Sequence, residues 1–406
     1  MNVDADAAKK KAGVGRKLTP PPEAPGLAAI GLEAEFALVV DGEPADPAKL
    51  FGTPSRFVRR SLLHRIGTSY HIPTGGAVYF DTGVIEVVTP LVEIEPGCAA
   101  RAVRSLWEGI HFVRGELDDW ERRAGRSARL VGFSTHYNVS FETLPAHGRG
   151  VDQLARLLAY ILPVPVMIFA ANRRSTGVGV RPRRDRVEVT VDFTPSPNLM
   201  VATATIVTAV AREVMVWPTF DLEVLERKGV PIIEGYRPVP HTSRRGWLAR
   251  RDSFPDNPFR ADLDEKKWPL TGGGRSSLRK IARRGLAPFR EPLRRLADRR
   301  TYELIVAVLN HRTPTLLAGR DRPPEYDDVG RLCGWENLFP ENRLRRSRYE
   351  ELLIRTIAGQ GLRFRGERYR PLGTRGWSRV VLERRRDKSR HVFAIDYLIS
   401  QGVRWE

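Results

Sequence analysis

The sequence predicts an α+β fold: an antiparallel sheet lining an active-site cleft, helices packed behind it, and a small α+β module at the C-terminal end. Three observations predict it. Apolar stretches at 28–40, 78–89, 129–142 and 187–193 alternate as strands do, yet each carries polar residues along one face. Helical spacing of apolar residues at 97–124, 151–171 and 198–216 supplies the packing layer. From about residue 343 the chain turns to arginine-rich alternation, which sets a C-terminal module at 343–406 apart from a main body at 27–342.

The 406 residues, 41% hydrophobic and 28% charged, leave room for two or three domains with a substantial core. A formal net charge of +19 favours an anionic partner, whether nucleotide phosphate, nucleic acid or an acidic protein. Cys98 and Cys333 are too few and too far apart for a disulfide framework or a structural zinc site, which fits a reducing cytoplasm. Residues 1–26 are rich in Ala, Lys and Pro and lack an apolar core segment, so they read as a disordered basic tail rather than an export signal. Pro163 and Pro165 interrupt one long apolar stretch, and Arg212 and Glu213 interrupt another. Both are expected to be core helices, with no membrane partner.

Taken in order, the strand at 28–40 holds GLEAEF, in which Glu33 and Glu35 share a face opposite Leu32, Ala34 and Phe36. Two buried carboxylates need a shared proton, a cation or a metal ion; on a solvated face they would need nothing. A polar turn leads to a short helix near 54–65 and then to a strand, a break at 81–83 and a second strand closed by Pro90. Glu86 falls there on the face of Val84 and Val88, where an apolar residue is expected. After the helix at 97–124, STHYNVSF sets His136, Asn138 and Ser140 on one face and Tyr137, Val139 and Phe141 on the other. Neutral imidazole is a common ligand for divalent metals, although a lone strand histidine is more often a core residue. The fourth strand aligns Glu188, Thr190 and Asp192 behind a loop bearing Arg181, Arg183, Arg184 and Arg186, whose forks suit phosphate oxygens or simply solvent.

Four stretches carry a family resemblance over residues 28–216. They are GLEAEF at 31–36, GGAVYFDTGVIEVVTP at 75–90, STHYNVSF at 134–141 and RPRRDRVEVTVDF at 181–193. In order and spacing they resemble the carboxylate–amine ligases of the glutamine synthetase and glutamate–cysteine ligase fold. Within that group the chain is most similar to the ligase and deamidase of the prokaryotic ubiquitin-like protein Pup. The resemblance implies that Glu33, Glu35, Glu86, His136 and Glu188 hold magnesium or manganese beneath ATP, and that Arg181, Arg184 and Asn138 contact the nucleotide. It places Asp81 as the catalytic aspartate, a base toward the amine in a ligase or a nucleophile in an amidase. Two departures stand out: Tyr137 replaces a family glutamate and Glu188 a family histidine.

Amide formation from a carboxylate and an amine runs through an acyl phosphate, which needs a charge-clamped ATP. The expected activity is therefore an ATP- and Mg-dependent ligase acting on a carboxylate donor and an amine acceptor, possible acceptors including an acidic peptide or protein. Two alternatives stay open: an amidase using Asp81, or a basic nucleic-acid-binding protein without a recognised motif. In the second half, Gly272 to Gly274 lack the Walker lysine spacing and read as a mobile loop, and 301–312 reads as a helix. The C-terminal module is expected to hold a helix ended by Gly359 and strands at 362–370, 377–385 and 390–396.

Overall fold

Alternation in the first apolar stretch produces the central strand of a twelve-stranded antiparallel sheet. The structure, a computed structural model, describes residues 28–59, 62–141, 150–241, 245–319, 321–333 and 344–405; the expected tail at 1–26 lies outside them. The strands are β1 (Ala29–Val40), β2 (Glu43–Ala45), β3 (Leu63–Ile66), β4 (Ser69–His71), β5 (Ala77–Asp81), β6 (Val84–Val88), β7 (Val92–Glu93), β8 (Ala128–Ser140), β9 (Val178–Pro182), β10 (Arg186–Asp192), β11 (Val239–Pro240) and β12 (Trp247–Ala249). They lie in the order β11-β12-β9-β10-β8-β1-β6-β5-β4-β3, with β2 and β7 paired to β1.

Between β1 and β8 the register shifts after Glu35: Glu35 faces Ser134 while Phe36 faces Gly132, so Phe133 is an extra residue on β8. Such a bulge kinks the strand and re-aims its side chains. Gly132 is required beside it, because a Cβ there would meet the Phe193 ring at 2.6 Å. That close approach lets Phe193 pack edge-on against Phe36, with ring centroids 5.1 Å apart.

One face of the sheet is covered by helices α3 (Cys98–Ala124), α4 (Val151–Ile161), α5 (Pro163–Ala170) and α6 (Pro197–Met215), which seal a core containing Phe36, Trp107, Tyr137 and Phe193. The expected continuous helix at 151–171 is two helices bent by 62°. Pro163 has no N–H to offer the preceding turn and opens a new helix instead. Helix α6 is long and apolar enough to cross a membrane by composition, but 83% of that window is buried, enclosed by α3, α5 and the later helices. The expected helix at 54–65 is also corrected. Beyond α1 (Pro47–Phe51), α2 spans only Pro54–Phe57, and Leu63–Ile66 pairs with β4 across the turn at Gly67.

Further on come α7 (Glu223–Arg227), the hairpin of β13 (Trp268–Pro269) and β14 (Arg275–Ser276), and the helices α8 (Leu278–Gly285), α9 (Arg290–Leu296) and α10 (Arg299–Leu309). Gly272, Gly273 and Gly274 form the hairpin turn, each at positive φ, which explains a triple glycine without invoking phosphate.

The C-terminal module comprises α11 (Arg348–Ile357), a sheet of β15 (Leu362–Phe364), β16 (Glu367–Arg375), β17 (Arg379–Arg384), β18 (Arg390–Ala394) and β19 (Arg404–Trp405), and α12 (Ile395–Ser400). The expected strand at 362–370 is therefore two, turned at Arg365 and Gly366. The module has its own core around Leu352, Leu353, Val380, Leu382 and Ile395. It docks through the fully buried Glu350, which accepts hydrogen bonds from Ser105 Oγ at 2.5 Å and Arg104 Nη2 at 3.2 Å. A second contact sets Thr374 Oγ1 2.8 Å from His71 Nε2 and the Trp377 ring 4.7 Å from the Arg65 guanidinium.

Candidate functional site

Strand pairing brings the predicted polar rows onto the open face of the sheet. Glu35 lies opposite Glu86 on β6 and Ser134 on β8, Glu33 lies opposite His136, and across β10 His136 and Asn138 face Thr190 and Glu188. His136 occupies the middle. Its Nδ1 is 3.1 Å from Glu33 Oε2 and its Nε2 is 3.4 Å from Glu35 Oε1, while Ser134 Oγ donates to Glu35 at 2.5 Å. Asn138 Nδ2 donates to Glu33 Oε1 at 3.2 Å and its oxygen accepts from Arg186 Nε at 2.8 Å. Asn138 thus orients Glu33 on one side and is itself held on the other.

Electrostatics differ sharply among these groups. Burial pushes the Glu86 carboxyl up to about 8, with Glu35 and Glu33 adding repulsion against a hydrogen bond from Tyr79. Glu86 is only 4% exposed, and among the described residues no lysine or arginine pairs with it. Burial alone would lower the His136 pKa; the hydrogen bond and charge of Glu33, with Glu35 and Glu188, overcome this and raise it. For Glu188 burial opposes ionisation, but His136, Arg183 and Arg181 prevail and hold the carboxyl at about 2.

Glu188 consequently departs from its expected place among metal ligands. Arg183 donates to both its oxygens, at 2.7 and 3.0 Å, and Arg181 pairs with it as well. Arg181, expected to face phosphate, is therefore shared between this carboxylate and the cleft it also lines. Arg184 is exposed on the β9–β10 turn, and the neighbouring Arg183 takes the inward position. Tyr137 is fully buried on the opposite face of β8, in the core, so of the two departures only Glu188 touches the site. Asp81 is exposed at the tip of the β5–β6 hairpin, on the same face as Tyr79 and Glu86 and one pleat nearer the turn.

Among the described residues no three acidic, histidine or cysteine side chains close on one point as a metal cage. The donor chemistry separates into two parts. Glu33, Glu35 and Glu86 are hard oxygen donors of the type a divalent ion takes, Glu86 being buried with no lysine or arginine among the described residues to pair with. Glu188 does not, since guanidinium groups already occupy its oxygens.

Beside the cluster opens a cleft of about 390 Å³ over β8, β10 and β9. Its walls carry Glu35, Ser134, His136, Thr190 and Asp192 together with Arg174, Arg181, Arg322 and His241. Asp192 shapes one wall by accepting from the Asn172 N–H at 2.8 Å and from Ser175 Oγ at 3.1 Å; burial lifts its carboxyl to about 6 against these bonds. Arg322 donates to the Gly132 carbonyl at 2.6 Å and stacks over Tyr326. The bulge places Phe133, 60% exposed, in the lining. Sequence reasoning missed Phe133, Arg174, Arg322 and His241. Ser134 could have been found from its alternation with His136, and the others carry no local signal.

Neither a family model nor a curated relative matches the sequence. Among solved structures, the chain is similar to one in the crystal structure of the complex between the prokaryotic ubiquitin-like protein Pup and its ligase PafA. The TM-score is 0.51 over 92% of each chain at 11% identity, so the likeness is one of fold, and it agrees with the α+β arrangement and the resemblance read from the sequence.

Proposed function

We propose that the chain is a cytoplasmic ATP-dependent ligase that joins a carboxylate to an amine through an acyl phosphate. One observation carries the reading: three carboxylates and an imidazole gather on a sheet face directly beside a cleft walled by Arg174, Arg181 and Arg322. An anion of triphosphate size and charge suits that cleft, since guanidinium forks pair with phosphate oxygens. The exposed Phe133 ring offers a nucleobase a stacking plane. Glu33, Glu35 and Glu86 would hold a magnesium or manganese ion, whose chemistry is to neutralise the phosphate oxygens during transfer.

The remaining steps fall to the protein's own groups. His136, hydrogen-bonded near Glu33, Glu35 and Ser134, fixes the orientation of the carboxylates. Asp81, open to solvent at the hairpin tip, can take the proton of an incoming amine. On this reading residues 27–342 form the catalytic body and 343–406 help receive a peptide or protein substrate. The test is incubation with MgATP and a mixture of carboxylates and amines. ADP formed in step with a new amide supports a ligase, release of amine from amides without ADP points to an amidase, and no ATP binding at all overturns the proposal.

A further inference from the structure

We propose that the outer face of α8, α9 and the start of α10 binds the phosphate backbone of nucleic acid, a function separate from the cleft. Helix α8 buries Leu278, Ile281 and Ala282 and exposes Lys280, Arg283 and Arg284, the i, i+3, i+4 positions of one face. Helix α9 repeats the division, burying Pro292, Leu293 and Leu296 and exposing Arg290, Arg294 and Arg295. Arg299 and Arg300 open α10, also exposed.

Two contacts lay these faces along a common support. Arg283 Nη1 donates to Asn310 Oδ1 at 3.0 Å, and the Arg294 guanidinium lies 5.5 Å from the Tyr302 ring centroid. The two anchor points are eight residues apart, about 12 Å along a helix. That span suits several successive phosphates rather than one small anion.

The surface is not a mixed-sign solubility face. On α3, by contrast, Asp118, Asp119 and Glu121 alternate with Arg122 and Arg123. Here the acids are few and engaged: Glu291 with Arg294, Glu303 with Arg299, and Asp298 as the cap of α10. Lys280, Arg284, Arg290, Arg295 and Arg300 form no ion pair among the described residues. An acidic protein is the poorer fit. Protein interfaces keep an apolar or aromatic centre, whereas the exposed large hydrophobic residues among the described ones are Phe133, Val216, Leu332 and Val392, none on these helices. Guanidinium and ammonium groups without an apolar centre match backbone contacts that do not depend on base sequence.

The test measures binding of the full chain to a fluorescent random-sequence duplex, and to a single strand of the same length, over a series of salt concentrations. With five unpaired cations engaged, the logarithm of the duplex association constant should fall with the logarithm of salt at a slope of about −4.5. The triple variant Arg284→Gln, Arg290→Gln, Arg295→Gln should reduce that slope to about −1.8, with ATP turnover and melting temperature unchanged. The matched triple variant Arg375→Gln, Arg379→Gln, Arg390→Gln on the C-terminal module should leave the slope near the parent value. The proposal is overturned by no binding, by equal loss in both variants, or by polyglutamate or anionic vesicles binding as tightly as nucleic acid. Tighter binding of the single strand than of the duplex at the same salt assigns the face to single strands.

Discussion

Glu188 Oε2 accepts a hydrogen bond from Arg183 Nε at 2.7 Å, so a carboxylate on the site's own strand is neutralised from within the protein. Removing it leaves Arg181 and Arg183 facing each other with their shared counter-charge gone. Glu188→Ala is expected to lose about 3 kcal/mol of stability in urea denaturation, since breaking a buried pair strands its partner. The pH dependence has a definite sign. With a folded value near 2, below the ordinary 4.5, Glu188 contributes stability above pH 4.5 that disappears as pH falls toward 2. Unfolding curves of the variant should lack that part of the acid limb.

Glu86 acts in the opposite sense. Its carboxyl titrates near 8 in the folded chain against 4.5 unfolded, so without a bound cation its contribution erodes stability as pH rises from 4.5 to 8. Glu86→Gln should therefore melt higher than the parent at pH 8.5 in EDTA, by a few kcal/mol at most, and alike at pH 4.5. Magnesium should close the gap by stabilising the parent only. Equal melting of the two proteins in EDTA at pH 8.5 would count against a strained, uncompensated carboxyl.

Phe133 is mostly exposed, so its ring contributes little to folding. Phe133→Ala is expected to weaken ATP binding about tenfold in calorimetry, in line with the loss of one stacking contact. Unchanged affinity would remove the base from this part of the cleft.

Asp81→Asn should keep the parent melting temperature, because the side chain is exposed at a hairpin tip. Turnover should fall by about 10² to 10⁴ if this carboxylate accepts the amine proton. Wild-type turnover would transfer that role to another group.

Glu350 ties the C-terminal module to α3 from a fully buried position. Glu350→Ala takes away the Ser105 acceptor and one of the partners of Arg104, which keeps the Leu344 carbonyl and Glu108, and removes half of the capping box at the head of α11. About 3 kcal/mol should be lost, and denaturation followed by tryptophan fluorescence should separate into two transitions as the module uncouples. A single unshifted transition would mean that the remaining contacts, among them His71–Thr374, Arg65–Trp377 and the bonds of Arg348 and Tyr349 N–H to Glu93, suffice.

Much of the sheet was legible because Glu33, Glu35, Glu86, His136 and Glu188 each interrupt an apolar strand, and the period of two assigns them a face before any fold is known. Antiparallel pairing then had only to align the rows. What could not be read were partners fixed by tertiary approach. Arg183 outranks Arg184 at Glu188 because it keeps the parity of Arg181, which the β9–β10 pairing sets opposite Glu188, and Arg174 and Arg322 come to the cleft from loops with no periodic pattern. Local errors have equally local causes. Leu63 to Ile66 suits helix or strand, and only the turn at Gly67 and the β4 pairing decide; Pro163 begins a helix where unbroken apolar spacing suggested continuation.

The supernumerary residue in β8 also changes the parity of that strand. Before it, even-numbered Ala128 and Leu130 point into the core; beyond it, even-numbered Ser134, His136 and Asn138 look outward, while odd-numbered Thr135, Tyr137 and Val139 turn inward. One strand can thus anchor the interior at its beginning and furnish the open face at its end without a break in the sheet. Excising Phe133 would leave Leu130 and His136 five positions apart, the odd spacing by which a regular strand keeps one under the helices and the other on the open face. A single-codon deletion at this spot should therefore spare both faces of the sheet and cost the cleft only its Phe133 ring, whereas losing one residue beyond it would turn the rest of the row inward.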